Sequence, residues 1–180
     1  MSAVMQACVE MEMSKPGGAV LKNEMTPTAA VKALLDAGQV QDALKLLARL
    51  LPKRYAVAWL CQCARDQALD PEDKAGASLA ERWVREPNES NRRAAFEFAD
   101  GGGYKSTGAW IAAAAGWSGG SMAPASVETQ VPPPDHLTAC AVVAAINMLA
   151  ALDIDAFEAR RAGFISSAVN LLNGNSAGNA

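Results

Sequence analysis

The run Gly116-Trp117-Ser118-Gly119-Gly120 spells G-x-S-x-G. That pattern exposes a nucleophilic serine where a strand turns sharply into a helix. Here an alanine-rich helical stretch precedes the serine and a glycine loop follows it. The single histidine, His136, comes after a proline run, and its neighbour Asp135 is badly placed to orient it. A hydrolase built on Ser118 is therefore the weaker reading. A helix end running into a glycine loop accounts for the same letters. Gly101-Gly102-Gly103-Tyr104-Lys105-Ser106 resembles a phosphate loop but lacks its spacing and the glycine before the lysine, so it reads as a turn between helices. Cys61 and Cys63 would point about 200° apart on a helix and could not clamp one metal. With one histidine in the chain, a zinc site is not expected, and the thiols read as small apolar side chains. Carboxylates pair only near helix starts (Asp70, Glu72, Asp73; Asp153, Asp155), where the helix dipole explains them. No catalytic residue, metal ligand or cofactor is assigned, and a non-enzymatic protein is expected.

Binding chemistry is the better lead. Arg82, Arg85, Arg92 and Arg93 cluster around the turn at 86–89. They suit a carboxylate-binding patch, set against the plainer reading of a solvated surface paired with nearby acids. Among the four tryptophans, Trp59 and Trp83 fall on faces expected to be buried. Trp110 and Trp117 flank an alanine-rich helix, and Met122 follows in the glycine loop. Exposed tryptophan beside methionine is the chemistry of an interface anchor, so Trp110, Trp117 and Met122 join the arginines as candidate partner-binding residues.

The elements that must position these residues are helices. Hydrophobic residues make up 51% of the 180 and charged ones 19%, enough for one packed domain. Alanine supplies about a fifth of the chain, favouring helices at close approach. No run alternates over a strand length. Thr26-Pro27 starts a first helix, ended by Gly38. Val40, Ala43, Leu44, Leu47 and Leu51 make the apolar face of a second. The pair resembles one tetratricopeptide hairpin, with no further copy at a fixed period. Pro52 opens a third helix to about Leu69, with Tyr55, Trp59, Cys61 and Cys63 on its buried side. Asp70-Pro71-Glu72-Asp73 starts a fourth, as cap, proline and acids, and Glu86-Pro87-Asn88-Glu89 repeats the device for a fifth, Glu89 being placed for a capping box. Tyr104 to Trp117 is a sixth, expected to be central. Asp135 caps a seventh ending near Leu152. Asp153 caps an eighth that Asn173-Gly174 ends, with Phe157, Phe164, Ile165, Ala168 and Leu172 inward.

The expected organisation is all-α. Residues 1–25, with five of the seven methionines, form a mobile arm; 26–173 form a bundle of seven or eight helices; 118–134 form a long Gly/Pro loop; 174–180 form a disordered tail. The net charge of −3 argues against nucleic acid. No apolar run approaches the ~20 residues of a membrane span, and the N-terminus lacks a signal peptide's basic region, so a cytoplasmic protein without membrane insertion is expected.

The words LPKRYAVAWLCQCAR, AERWVREPNESNRRAAFEFA, AWIAAAAGWSGGSMAP and VPPPDHLTACAVVAAI, over residues 51–150, resemble a bacterial domain family of unknown function found beside type VI secretion genes, including PAAR-tip and effector loci. The resemblance implies an accessory role: a chaperone, co-chaperone or adaptor that binds a secreted effector, a PAAR-type tip protein or another chaperone for loading. It carries no catalytic residue across. The alternative is an immunity protein that occludes a toxin.

Overall fold

Helix α8 (Thr107–Gly116) is the axle of the molecule. Every residue in it except Trp110 is buried, and its apolar composition leaves it no solvent face. Around it pack α6 (Pro71–Arg85), α7 (Glu89–Gly101) and α9 (Leu137–Ala150), with α5 (Lys53–Arg65) reaching it as well. The computed structural model describes residues 1–176 and is a single all-α domain, with no strand among those residues. Among them, no single helix is long and apolar enough to cross a membrane.

Small residues let the inner helices touch backbone to backbone. A Cβ on Gly76 of α6 would lie 2.2 Å from the Gly108 carbonyl oxygen, and one on Gly108 would lie 2.5 Å from Cα of Asp73. The contact is tied by the Gly108 amide, which donates to the Asp73 carboxylate at 2.7 Å. On the other side of α9 and α5 sits a leucine-rich layer from α3 (Pro27–Asp36) and α4 (Val40–Leu50). Leu34, Leu44, Leu46, Leu47 and Leu60 are fully buried there. Each such side chain contributes about 1.5–3 kcal/mol of burial.

The eight helices expected from 26 onward are present as α3 to α9 and α10 (Phe157–Val169), the last entered through a 3-10 turn at Ile154–Ala156. Side-chain caps start several of them as expected. Thr26 accepts from the Ala29 amide and Asp70 from Asp73. Helix α7 starts two residues later than expected: Asn88, not Glu86, is its cap, accepting from the Asn91 amide. Such a cap is worth about 1 kcal/mol. Other details differ. Glu89 makes no capping box; its carboxylate turns to Arg92. Asp135 caps nothing, because Arg49 and Lys53 take its oxygens at 2.9 and 2.7 Å. The side chain of Asp153 makes no cap hydrogen bond either. Tyr55 is exposed, because no element among the described residues covers that part of α5. Asn173-Gly174 does not end the last helix: α10 stops at Val169 and α11 runs Leu171–Ser176. The rest of the expected tail, 177–180, lies outside the described residues.

The expected mobile arm is the largest correction. Residues 1–25 form α1 (Ala3–Glu10) and α2 (Lys15–Val20), and Val4, Ala7, Met11 and Leu21 enter the core. Ser2 and Ser14 cap the two helices. What holds them is distant in sequence. Asp42 of α4, buried, accepts from both the hydroxyl and the amide of Ser14. Gly17 presses against the same carboxylate, so closely that a Cβ would not fit.

Arg49 of α4 adds an ion pair, donating to Glu10 at 2.6 Å and to Asp135 at 2.9 Å. The hydrogen bond from Arg49 holds the Glu10 carboxyl below the usual range, and that from Lys53 does the same for Asp135. A depressed carboxyl stabilises the fold above the ordinary carboxylate range. That stability is lost as pH falls through the depressed value. Glu10→Gln is therefore expected to cost about 1 kcal/mol near neutrality and nothing once both carboxyl states are protonated. Urea midpoints measured from pH 7 down to pH 3 should converge for the two proteins at the acid end.

Candidate partner-binding groove

The residues expected to bind a partner do not form one surface. Trp110 and Trp117 join Tyr104 in an aromatic cluster, with ring centroids 5.4 to 5.8 Å apart and the two indoles edge to face. The Trp110 indole N–H donates to the Tyr104 carbonyl at 2.9 Å. Both tryptophans are half-buried and packed against the core. Met122 is half-buried, and its amide donates to the Val131 carbonyl at 2.7 Å, closing the neck of the long loop.

The arginines divide into two pairs. Arg92 and Arg93 face inward on the loop. Arg92 is only 3% exposed, so it is neither solvated nor open to a partner's carboxylate, while the expected pairing with a nearby acid holds through Glu89. Its guanidinium donates to the Gly116 carbonyl at 2.7 Å and grips Glu89 with two further bonds. Arg93 donates to the carbonyls of Ser121 and Ala123. The buried Ser121 hydroxyl accepts from the amides of Ala123 and Val131. The base of the loop is therefore fixed, and residues 124–130 form its exposed tip. Arg82 and Arg85, on the last turn of α6, remain exposed, and neither has an acidic partner among the described residues.

Ser118 follows a helix, as the letters suggested, and its carbonyl accepts from Lys53 at 3.1 Å. The carboxylate beside His136 is committed to Arg49 and Lys53. The strand-to-helix elbow of a serine hydrolase is absent at Ser118.

A concave site lies elsewhere, between α5 and α6. The two helices run antiparallel: Arg54 near the start of α5 donates to the Val84 and Arg85 carbonyls at the end of α6. One chamber of about 340 Å³ is lined by Tyr55, Ala58, Trp59, Val84, Arg85 and Leu171, among others. A second of about 290 Å³ continues toward Leu69, Lys74 and Ala77. Cys61, Arg65 and Glu81 line both. Arg65 and Glu81 meet at 3.1 Å and divide the groove.

The groove floor is rigid and apolar. Trp59 is fully buried, its indole N–H tied to the Phe164 carbonyl at 2.9 Å. Burial pushes the Cys61 thiol up to about 12, so it stays protonated and uncharged at neutral pH. The rim carries exposed apolar surface: Tyr55 is 48% exposed and Leu171 is 38% exposed. Of this groove, sequence reasoning singled out only Arg85 as a binding residue. A signal was present in α5, whose apolar residues Tyr55, Val57, Trp59, Leu60, Cys61 and Cys63 cover more of the circumference than one core face requires.

No curated protein and no solved structure matches this chain. A family model does match, over residues 30–172, from within α3 into α11, with the groove and the central helix inside it. The chain belongs to that family, described as a family of unknown function, DUF6931.

Proposed function

We propose that this chain is a non-enzymatic accessory protein that holds another protein, acting in the cytoplasm as a chaperone, co-chaperone or adaptor for a type VI secretion effector or tip protein. The observation that carries the binding part is the α5/α6 groove: a rigid apolar floor with Tyr55 and Leu171 left exposed on its rim. An open groove between fixed helices suits an apolar segment of a client. The secretion part rests on the resemblance of the quoted words in residues 51–150. The test is co-expression with the products of genes adjoining its own, followed by affinity capture and size-exclusion chromatography. The expected result is a stable complex that raises the yield of an effector or tip protein. A monodisperse protein that captures none of them overturns the reading, and rescue of cells from a toxin without a gain in yield replaces it with immunity.

A further inference from the structure

Resting on that reading, we infer that the α5/α6 groove takes an acidic amphipathic helical segment of the partner. Its bulky apolar side chains lie over Ala58, Trp59 and Val84, and its carboxylates meet Arg65, Arg85 and Lys74.

Shape gives the first argument. The lining runs along α5 from Tyr55 to Arg65, about 15 Å at the helical rise. Two chambers in line, each open to solvent, match successive anchors of an i, i+3/i+4, i+7 stripe better than one compact molecule. Charge gives the second. The chain is acidic, with a net charge of −3, yet among the described residues its groove is lined by Arg65, Arg85 and Lys74 against Glu81 as the single acidic side chain. The nearby acids of the first turn of α6 do not line it, and Asp73 is spent on the Gly108 amide.

The Arg65–Glu81 pair gives the third. Glu81 already places a carboxylate on Arg65, at the point where the chambers meet. Arg65 is 62% exposed, so solvent competes for the pair and it resists exchange only weakly. A partner's carboxylate takes over Arg65, Glu81 swings out, and the partition between the chambers disappears. Glu81 thus acts as the internal competitor for the site.

The test uses the full chain, immobilised and panned with a displayed library of random 16-residue peptides. Selected peptides are then titrated by fluorescence anisotropy. They are expected to carry a helical-period apolar stripe with Asp or Glu beside it. Ala58→Arg, which fills the groove, and Leu171→Glu, which changes only its rim, are each expected to weaken binding about tenfold. Lys74→Glu with Arg85→Glu should weaken it about tenfold, and exchanging the peptide's acids for lysine should restore it. Glu81→Gln should tighten binding about threefold by removing the competitor. Thermal melts establish that each variant is folded.

Three results overturn the inference: no peptide enriched above the Ala58→Arg chain, peptides indifferent to the charge reversals, or a homodimer that Ala58→Arg dissociates. The two readings fail separately. A client captured equally well by Ala58→Arg and Leu171→Glu would sink the groove and leave the accessory role. Peptides that obey the charge rule, with no client among the neighbouring gene products, would do the reverse.

Discussion

Gly76→Ala is expected to destabilise the protein by about 3 kcal/mol, on the order of 9 °C in Tm, although alanine is the better helix former. In an open helix the change gains about 0.5–1 kcal/mol, because alanine loses less backbone freedom on folding. At position 76 the added Cβ would sit 2.2 Å from the Gly108 carbonyl oxygen and 2.8 Å from its Cα. These are backbone atoms of the central helix and cannot rotate aside. Helices α6 and α8 must move apart, loosening a contact on which Trp83 and Ala80 also depend. Gly163→Ala is the control. It lies on α10 with nothing within 4 Å of the Cβ position, and it should stabilise by about 0.5–1 kcal/mol. Opposite signs in paired urea titrations would establish backbone contact as the cause. A gain at both positions would mean that α6 and α8 pack less closely than described.

The central place of α8 was legible because a helix without a polar face has nowhere to go but inside. The starts at Thr26 and Asp70 were legible because a cap is local: the bond spans three residues. The first 25 residues were not. Ser14-Lys15-Pro16 is a readable cap, but Gly17-Gly18 reads as a break. The segment is ordered by Asp42, 28 residues beyond Ser14. A helix of six residues cannot hold itself, so its existence is a tertiary fact.

The binding surface was misjudged for a related reason. Arg82, Arg85, Arg92 and Arg93 are close in sequence, and closeness suggested one patch. A break at Glu86–Asn88 separates α6 from α7, so the first pair stays on the rim of α6 while the second turns to the loop. The groove has the opposite character. Its walls come from two different helices, and the apolar excess on α5 does not by itself show that α6 leaves part of it uncovered. The exposure of Tyr55, expected on a buried face, marks a place that no element among the described residues covers.

Arg92→Ala is expected to release the 118–134 loop and to cost about 3 kcal/mol. The Arg92 guanidinium is the common anchor of three segments. It satisfies the Gly116 carbonyl at the end of α8, holds Glu89 at the start of α7, and backs the turn at Gly120. Gly120 has φ +64 and lies so close to the guanidinium that a Cβ would come within 2.6 Å of Nε. Truncation leaves the Gly116 carbonyl buried without a donor, at about 1–3 kcal/mol, and removes the packed stem besides. Lysine should recover only part of this, since one ammonium cannot reach both Glu89 and Gly116 in the geometry of a planar fork. Limited proteolysis provides the local readout. Cleavage within 118–134 should accelerate at least tenfold in Arg92→Ala, while cleavage in the α9–α10 turn rises only with the global loss of stability. The Ser121 hydroxyl, with its two amide donors, is the rival anchor. If the loop stays protected in Arg92→Ala but opens in Ser121→Ala, the serine closes the loop by itself, and the buried arginine serves only the junction of α7 and α8.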